Sequence, residues 1–568
     1  MSIKLKKTEV VIVGLGAAGG YAALALARAG VEIIGLEAGP RWKPTDFPMD
    51  EIRNDVRNYL GQPKAAKEVP TWRLNASQPA TQGGGISVIM ANGVGGSSIH
   101  YGMEQWRYTP WNFKVRSQSI KRYGANALPA DATTTDWPIS LADVEPYYDK
   151  VEYDMGVSGK AGNIKGKKIP GGNTFEGPRR RPYPLPPLRR SGWNDMTAAA
   201  AKRLGWHPFP GPAAIRSRAY RGLPGCEYCG FCTSNGCMVE AKGSTNFNAI
   251  AEAERTKHLK VLTHARVTKI ETDSKGRASG VTYVKGGKTY FQPAHMVILS
   301  TYIYENTRLL LLSTSKAFPN GLSNNSGQVG KNYMSHVYSG VNGFFPGKQL
   351  NRFNGPGAQR TSSDDWNGDN FDHTGLGFIA GGVIDSRMEN KPIGQARSTP
   401  PSVQSWGSAW KDWLHTNGNS VGDAFGQIEC LSYESNFVDL DPVVKDPYGI
   451  PVARVTFDLG AQEKARAAFV TAKCVQLLKE AGAAETWVSF PTQPIGVNSH
   501  AYGTTRMGSD PATSVVNKWL ISHEVPNLAV LGGSTFPTNT GYNPTNTIEA
   551  LAWRAGDHIA KHWKTITS

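Results

Sequence analysis

Val10-Val11-Ile12-Val13-Gly14-Leu15-Gly16-Ala17-Ala18-Gly19 decides the fold of this chain. Four consecutive β-branched apolar residues read as a strand buried on both faces, the pattern of a parallel sheet. The first glycine allows a tight turn, the second a close backbone approach to a pyrophosphate, and the third close packing of helix on strand. Residues from Ala17 to Arg28 are rich in Ala and Leu and predict a helix whose N-terminus faces the phosphates. A second β-run, Val31-Glu32-Ile33-Ile34-Gly35-Leu36-Glu37, ends on an acid 23 positions after Gly14, close to where a ribose-binding carboxylate belongs. Together these parts predict a dinucleotide-binding unit. The motif alone does not choose the dinucleotide.

Working outward, 568 residues can bury large cores and predict two or more domains. With 39% hydrophobic residues and no apolar run of membrane-spanning length, the chain reads as globular. Met1-Ser2-Ile3-Lys4-Leu5-Lys6-Lys7-Thr8 enters the first strand at once, so no signal peptide is expected. The net charge of +16 suits an anionic membrane or an acidic partner, and equally a solvated surface. No segment matches a nucleic-acid module, which sets that class aside. Residues 60–90 and 160–190 are rich in Gly, Pro and Lys and read as long loops or lids. Leu259–Ile270, Gly280–Val284 and Met296–Ser300 read as β-runs, and Asn306–Leu312 as helix. Residues 340–430 predict irregular sheet and loop suited to a binding surface. A helix is expected over Ala461–Ala481, a strand over Asn527–Gly533 and a final helix from Pro544 to Trp563.

Two elements near the C-terminus carry chemistry. His500 opens His500-Ala501-Tyr502-Gly503-Thr504-Thr505-Arg506-Met507-Gly508, and Asn543 begins Asn543-Pro544-Thr545. Proline suits the first turn of a helix, and that helix directs its positive end at whatever lies before Asn543. A flavin that gains negative charge on reduction would be stabilised there. A neutral imidazole is a suitable acceptor for the proton of an alcohol undergoing hydride removal, worth about 10²–10⁴ in rate. Asn543 could hold the same hydroxyl. The bland alternative for His500 is a capping or core histidine.

With Asn92-Gly93-Val94-Gly95-Gly96-Ser97-Ser98 and Gly541-Tyr542-Asn543-Pro544-Thr545 added, the chain resembles the glucose–methanol–choline (GMC) flavoprotein oxidoreductases. More narrowly it is similar to the large flavoprotein subunits of bacterial membrane-bound gluconate, sorbitol and related sugar dehydrogenases. Cys226-Glu227-Tyr228-Cys229-Gly230-Phe231-Cys232, Asp369-Asn370-Phe371-Asp372-His373 and Leu440-Asp441-Pro442 carry that likeness. The resemblance implies an α/β (α+β two-domain) architecture, a Rossmann-like FAD-binding domain interleaved with an antiparallel-sheet substrate domain. The expected division is 1–113, 226–330 and 491–568 for FAD, and 114–225 and 331–490 for substrate and lid loops. It also implies catalysis by His500 with Asn543 as its partner. Cofactor contacts carry over to Gly14, Gly16, Gly19, Glu37, Asn92, Gly95, Ser97, Val267, Pro544 and Thr545. His100 stands where some sugar-oxidising relatives bond the flavin covalently; covalent attachment and simple packing are both open. Leu299-Ser300-Thr301-Tyr302 departs from the small Ala-Ala-Gly turn of many relatives.

Cys226, Cys229, Cys232 and Cys237 are spaced C-x2-C-x2-C-x4-C, a compact thiolate loop of the kind that wraps an iron–sulfur cluster. Disulfides, free thiols and zinc are the other readings. No C-x-x-C-H haem motif occurs, so electrons bound for a respiratory chain need a separate cytochrome c. By resemblance, a small subunit with a twin-arginine signal is expected to bring the chain to the periplasm, membrane-associated; without one it is cytoplasmic. The expected activity is FAD-dependent oxidation of a secondary alcohol of a sugar, sugar acid, polyol or glycoside, with electrons passed to a cytochrome, quinone or dye. Gluconate 2-dehydrogenase and glucoside 3-dehydrogenase are the patterns. The alternatives are an O2-using oxidase of pyranose-oxidase type, a non-redox lyase on the same fold, and an inactive FAD-binding assembly subunit.

Overall fold

Residues 2–61, 68–82 and 90–568 are described by a computed structural model of the chain. Of the loop expected over 60–90, residues 62–67 and 83–89 therefore lie outside the described residues.

The quoted apolar run forms the strand Thr8–Val13, with Val10, Val11 and Ile12 fully buried. It pairs in parallel with Ile33–Leu36 on one side, and that strand pairs in parallel with Leu259–Leu262. On its other side lies the C-terminal half of the long strand Lys288–Leu299, followed by Leu528–Val530, both parallel to it. The N-terminal half of Lys288–Leu299 turns antiparallel against Ala278–Lys285, which pairs with Arg266–Thr272. The continuous run read over Leu259–Ile270 is thus two strands. The break falls at His264, whose φ of 53° is left-handed. The amides of His264 and Ala265 donate to the carbonyls of Gly39 and Glu37, which folds the chain back over the first sheet's edge.

The helix Ala17–Arg28 follows the glycine turn as expected. The closing helix, Thr545–Lys561, crosses it so closely that a Cβ on Gly556 would stand 2.6 Å from the Cβ of Ala25. Tyr21 and Trp553 stack at 5.2 Å beside that crossing. The first residues of both helices consequently meet at one edge of the parallel sheet, where open α/β sheets bind ligands.

Residues 340–430 are more regular than their composition suggests. Val337–Phe344, Val421–Ile428, Gly382–Arg387 and Arg360–Ser363 lie side by side in an antiparallel sheet, edged by Glu485–Phe490 and Phe209–Pro210. Helices Ala461–Glu480 and Gly192–Arg203 cover one face. They press so close that a Cβ on Gly426 would meet Val470 at 2.4 Å, and one on Gly422 would meet Trp193 at 2.3 Å. Glycines at helix contacts, and polar residues on the opposite face, hide the alternation that marks a strand.

The 160–190 segment is a pinned loop. Arg179 is buried in it and bonds Glu152 and Glu176, while Arg107 binds the same Glu152 through Nε and Nη2 at 2.6 and 2.8 Å. Among the described residues no helix is long and apolar enough to cross a membrane.

The helix crossing has a direct test. Gly556→Leu is expected to lose about 1–3 kcal/mol by overpacking and to shed flavin more readily, read as a lowered melting temperature and free flavin in a gel-filtration run.

Candidate active site

A cavity of about 510 Å³ runs from the carboxyl edge of the parallel sheet to the exposed face of the antiparallel one. At its first end lie Gly14, Gly16, Glu37 and Val267. Gly14 has φ +86°, and a Cβ there would strike the Ser300 carbonyl at 2.7 Å. Gly16 and Gly96 both bare their backbone to the cavity, with 3.7 Å between a Cβ on Gly16 and the Cα of Gly96. The Glu37 carboxylate accepts from the amides of Leu15, Gly39 and Gly93 at 3.0–3.1 Å, so it ties three loops together at the ribose end. Asn92, Ser97, His100, Pro544 and Thr545 line the middle.

Gly19 and Gly95 stand behind the residues that line the cavity. A Cβ on Gly19 would stand 2.1 Å from the Gly14 carbonyl, and one on Gly95 3.0 Å from the Cβ of Asn246. They let the walls close up behind the ligand.

These residues fit FAD. Bare glycine backbone and a helix N-terminus suit a pyrophosphate, and the closing helix brings a second positive end to the same space. The buried Nε2 of His100 has no hydrogen-bond partner among the described residues, which is costly unless a ligand meets it. Burial and the nearby Lys242 push the His100 imidazole down to about 3, so it stays neutral.

The other end holds His500 and Asn543. A short ladder positions the imidazole: Met334–Ser335 pairs with Ala501–Tyr502, and the His336 amide donates to the His500 carbonyl at 3.2 Å. His336, which sequence reasoning did not single out, lies edge-on to His500 with Nδ1 3.0 Å from its Nδ1. Partners assign the protons. The Nε2 of His336 faces the Thr540 carbonyl at 2.6 Å and must donate to it, leaving its Nδ1 a bare acceptor. The Nδ1 of His500 therefore carries the proton, and its Nε2 keeps a lone pair. The Tyr338 hydroxyl, 3.0 Å from the same Nδ1, turns its own proton to Asn498 Oδ1.

That lone pair faces Asn543, whose Nδ2 lies 3.1 Å from Nε2. Gln427 donates to Asn543 Oδ1 at 2.8 Å and so fixes which way the amide points. Burial pushes His500 down to about 4 and His336 further below its usual range, so both are neutral at neutral pH. The site can accept a proton at Nε2 and donate a hydrogen bond from Asn543 Nδ2 to one and the same atom.

Tyr302 explains the departure at 299–302. It adopts φ 82°, a glycine-like conformation, and its hydroxyl reaches the carbonyls of Asn498 and Ser499 at 2.8 and 2.7 Å. The strained residue clips the loop immediately before His500.

The cysteine loop differs from expectation. Cys229 is exposed, Cys226 and Cys237 are half-buried, Cys232 is buried, and all six cysteines are free. Burial raises Cys226 to about 12 and lifts Cys229 and Cys232 as well. Among the described residues no three His, Cys, Asp or Glu side chains are gathered to hold a metal ion. The iron–sulfur and zinc readings find no assembled ligand set here.

Residues 133–338 and 432–552 match the GMC oxidoreductase family. The chain is 34% identical to the gluconate 2-dehydrogenase flavoprotein of Pantoea cypripedii over 99% of its own length and 94% of that protein's. It belongs to the GMC oxidoreductases. It is also 31% identical to 2-methyl-1,2-propanediol dehydrogenase of Mycolicibacterium austroafricanum (100% and 97% covered). A third relative, the fructose dehydrogenase large subunit of Gluconobacter japonicus, is 28% identical (99% and 100% covered). The formate oxidase structure from Aspergillus oryzae shares the fold, with a TM-score of 0.61 at 15% identity over 100% and 99% of the two chains. The chain is thus an FAD-dependent oxidoreductase of the GMC family acting on CH–OH groups.

The tautomer assignment yields a prediction. His336→Leu removes the acceptor for His500 Nδ1–H and is expected to retain FAD while slowing flavin reduction about 10–100-fold, the scale on which metal-bound imidazoles respond to losing an outer partner. His336→Gln, which can still accept, is expected to recover part of the rate in stopped-flow.

Proposed function

We propose that this GMC enzyme is a dehydrogenase that oxidises a secondary alcohol of a carbohydrate-type substrate and passes electrons to an acceptor other than O2. The observation that carries the reading is the unprotonated Nε2 of neutral His500, which lines the cavity and accepts from the Asn543 amide at 3.1 Å. FAD, when bound, supplies the hydride acceptor. His500 Nε2 takes the hydroxyl proton, and Asn543 Nδ2 holds the hydroxyl oxygen, so the alcohol is oriented by two fixed atoms. Gln427, Tyr338 and His336 keep those two atoms in place. The buried walls exclude water and make each polar contact stronger than it is in solvent.

Support for the carbohydrate class comes from relatives named for gluconate and fructose, and from a substrate end lined by Tyr338, Phe425, Gln427 and Phe490. Aromatic faces with interspersed amide groups suit a polyhydroxylated ring. The relative named as a large subunit supports the further proposal that a small subunit and a separate electron carrier accompany this chain. The unpartnered His100 Nε2 is the atom a covalent flavin bond would use. Acid precipitation separates bonded flavin, which stays in the pellet, from released flavin.

Anaerobic titration of the holoenzyme with gluconate, glucose, sorbitol and glycosides tests the reading. Bleaching of the flavin bands, with fast reoxidation by dye and slow reoxidation by air, is expected; fast reoxidation by air would make the enzyme an oxidase, and no bleaching would favour the lyase. His500→Ala is expected to keep FAD and lose about 10²–10⁴ in the rate of flavin reduction. Because the neutral imidazole acts and burial lowers His500 to about 4, the wild-type rate is expected to stay level from neutral pH downward and fall only as pH approaches about 4. A fall near the ordinary histidine value of 6.5 would contradict the burial argument.

A further inference from the structure

The strand Val421–Ile428 forms the wall of the substrate end. Asp423, Phe425 and Gln427 follow at every second residue and share a face. Gln427 is bonded to Asn543, which marks the reacting end. The neighbouring strand pairs Asp385 with Phe425, which sets Arg387 beside Asp423. Arg387 lines the same cavity as His500. Its guanidinium lies 4.0 Å over the Phe425 ring, two residues from Gln427 or about 7 Å along the strand.

The charges there do not balance. Arg387 binds Asp423 Oδ2 through Nε and Nη2 at 3.1 and 2.8 Å. The buried Arg352 binds the other oxygen of the same carboxylate at 2.8 Å. Two guanidiniums thus share one carboxylate, and one positive charge is left over. Arg352 donates its remaining contacts to the carbonyls of Arg387 and Val421. Arg387 Nη1 donates to no described residue, and its side chain is 34% exposed against 6% for Arg352. The surplus charge is therefore presented by Arg387.

Glu104 also lines the cavity, and its negative charge acts to raise both His500 and Tyr338. Arg360 binds Glu104 at 2.7 Å and also binds Asp385 at 2.7 Å, and burial together with Glu104 raises the Asp385 carboxyl. A carboxylate next to the reacting carbon would sit in the negative field that Glu104 imposes on His500. One carried across a sugar ring would reach Arg387, which can offer a charge-assisted hydrogen bond from Nη1.

Resting on the carbohydrate reading above, we propose that the substrate is a pyranose bearing its carboxylate across the ring from the oxidised carbon. This is the uronic-acid class, free or as a glycoside, and Arg387 is the residue that selects it. An aldonate oxidised beside its carboxyl group does not fit this division of charge.

The test uses the holoenzyme with a dye acceptor and matched pairs of substrates, D-glucuronate against D-glucose and D-galacturonate against D-galactose, with D-gluconate as the aldonate. Wild type is expected to favour each uronate in kcat/KM. Arg387→Gln, which leaves Asp423 paired with Arg352, is expected to collapse the uronate-to-neutral ratio on the order of 10–100-fold, chiefly through KM. Arg387→Lys is expected to keep part of it. A wild type that treats uronates no better than neutral sugars, or prefers gluconate, overturns the inference alone. So does an Arg387→Gln that lowers both members of a pair alike. A flavin that no carbohydrate reduces overturns the carbohydrate reading and this inference with it.

Discussion

The hydrogen bond between the Nδ1 atoms of His500 and His336 sets the chemistry of the site. It joins the two halves of the molecule at the point where the chain leaves one sheet for the other. Just after Ser335 the backbone enters the antiparallel sheet; just after Tyr502 it returns toward the parallel one. The two imidazoles therefore sit at the seam, and the Thr540 carbonyl, from the segment leading into the closing helix, decides which nitrogen of each holds a proton. Three segments far apart in sequence fix one lone pair.

Burial makes that arrangement firm. Neither ring is charged at neutral pH, so the pair attracts by hydrogen bond rather than repelling as two cations. The same burial would be costly at the substrate wall, where Arg352, Arg360, Asp385 and Asp423 all lie below the surface. Each is paired, as buried charges must be. Two guanidiniums share the one Asp423 carboxylate, leaving positive charge at Arg387.

Much of the first half of this architecture was legible in the residues. The apolar run before Gly14, the helix after it and the acid at Glu37 follow periodicities that depend only on neighbours in sequence, and the structure places them as read. His500 and Asn543 were legible as a pair, and the structure brings them together. The antiparallel sheet was not legible as sheet, because its strands face a polar cavity on one side and glycine-spaced helix contacts on the other. His336, Tyr338 and Gln427 gave no signal: single polar residues in strands become meaningful only once the fold brings them to His500. The histidine between the strands Met334–Ser335 and Val337–Phe344 had no partner visible in sequence. The cysteine loop shows the reverse case, a spacing that suggested a ligand set while the fold distributes the thiols between solvent and core.

The direct measurement is nitrogen NMR of the holoenzyme labelled with ¹⁵N-histidine, with His500→Asn and His336→Asn samples to assign the signals. At neutral pH, His500 is expected to be neutral with its proton on Nδ1 and an unprotonated Nε2, and His336 to be neutral with its proton on Nε2. An imidazolium at either position, or a His500 protonated on Nε2, would contradict the account, because no lone pair would then face the substrate.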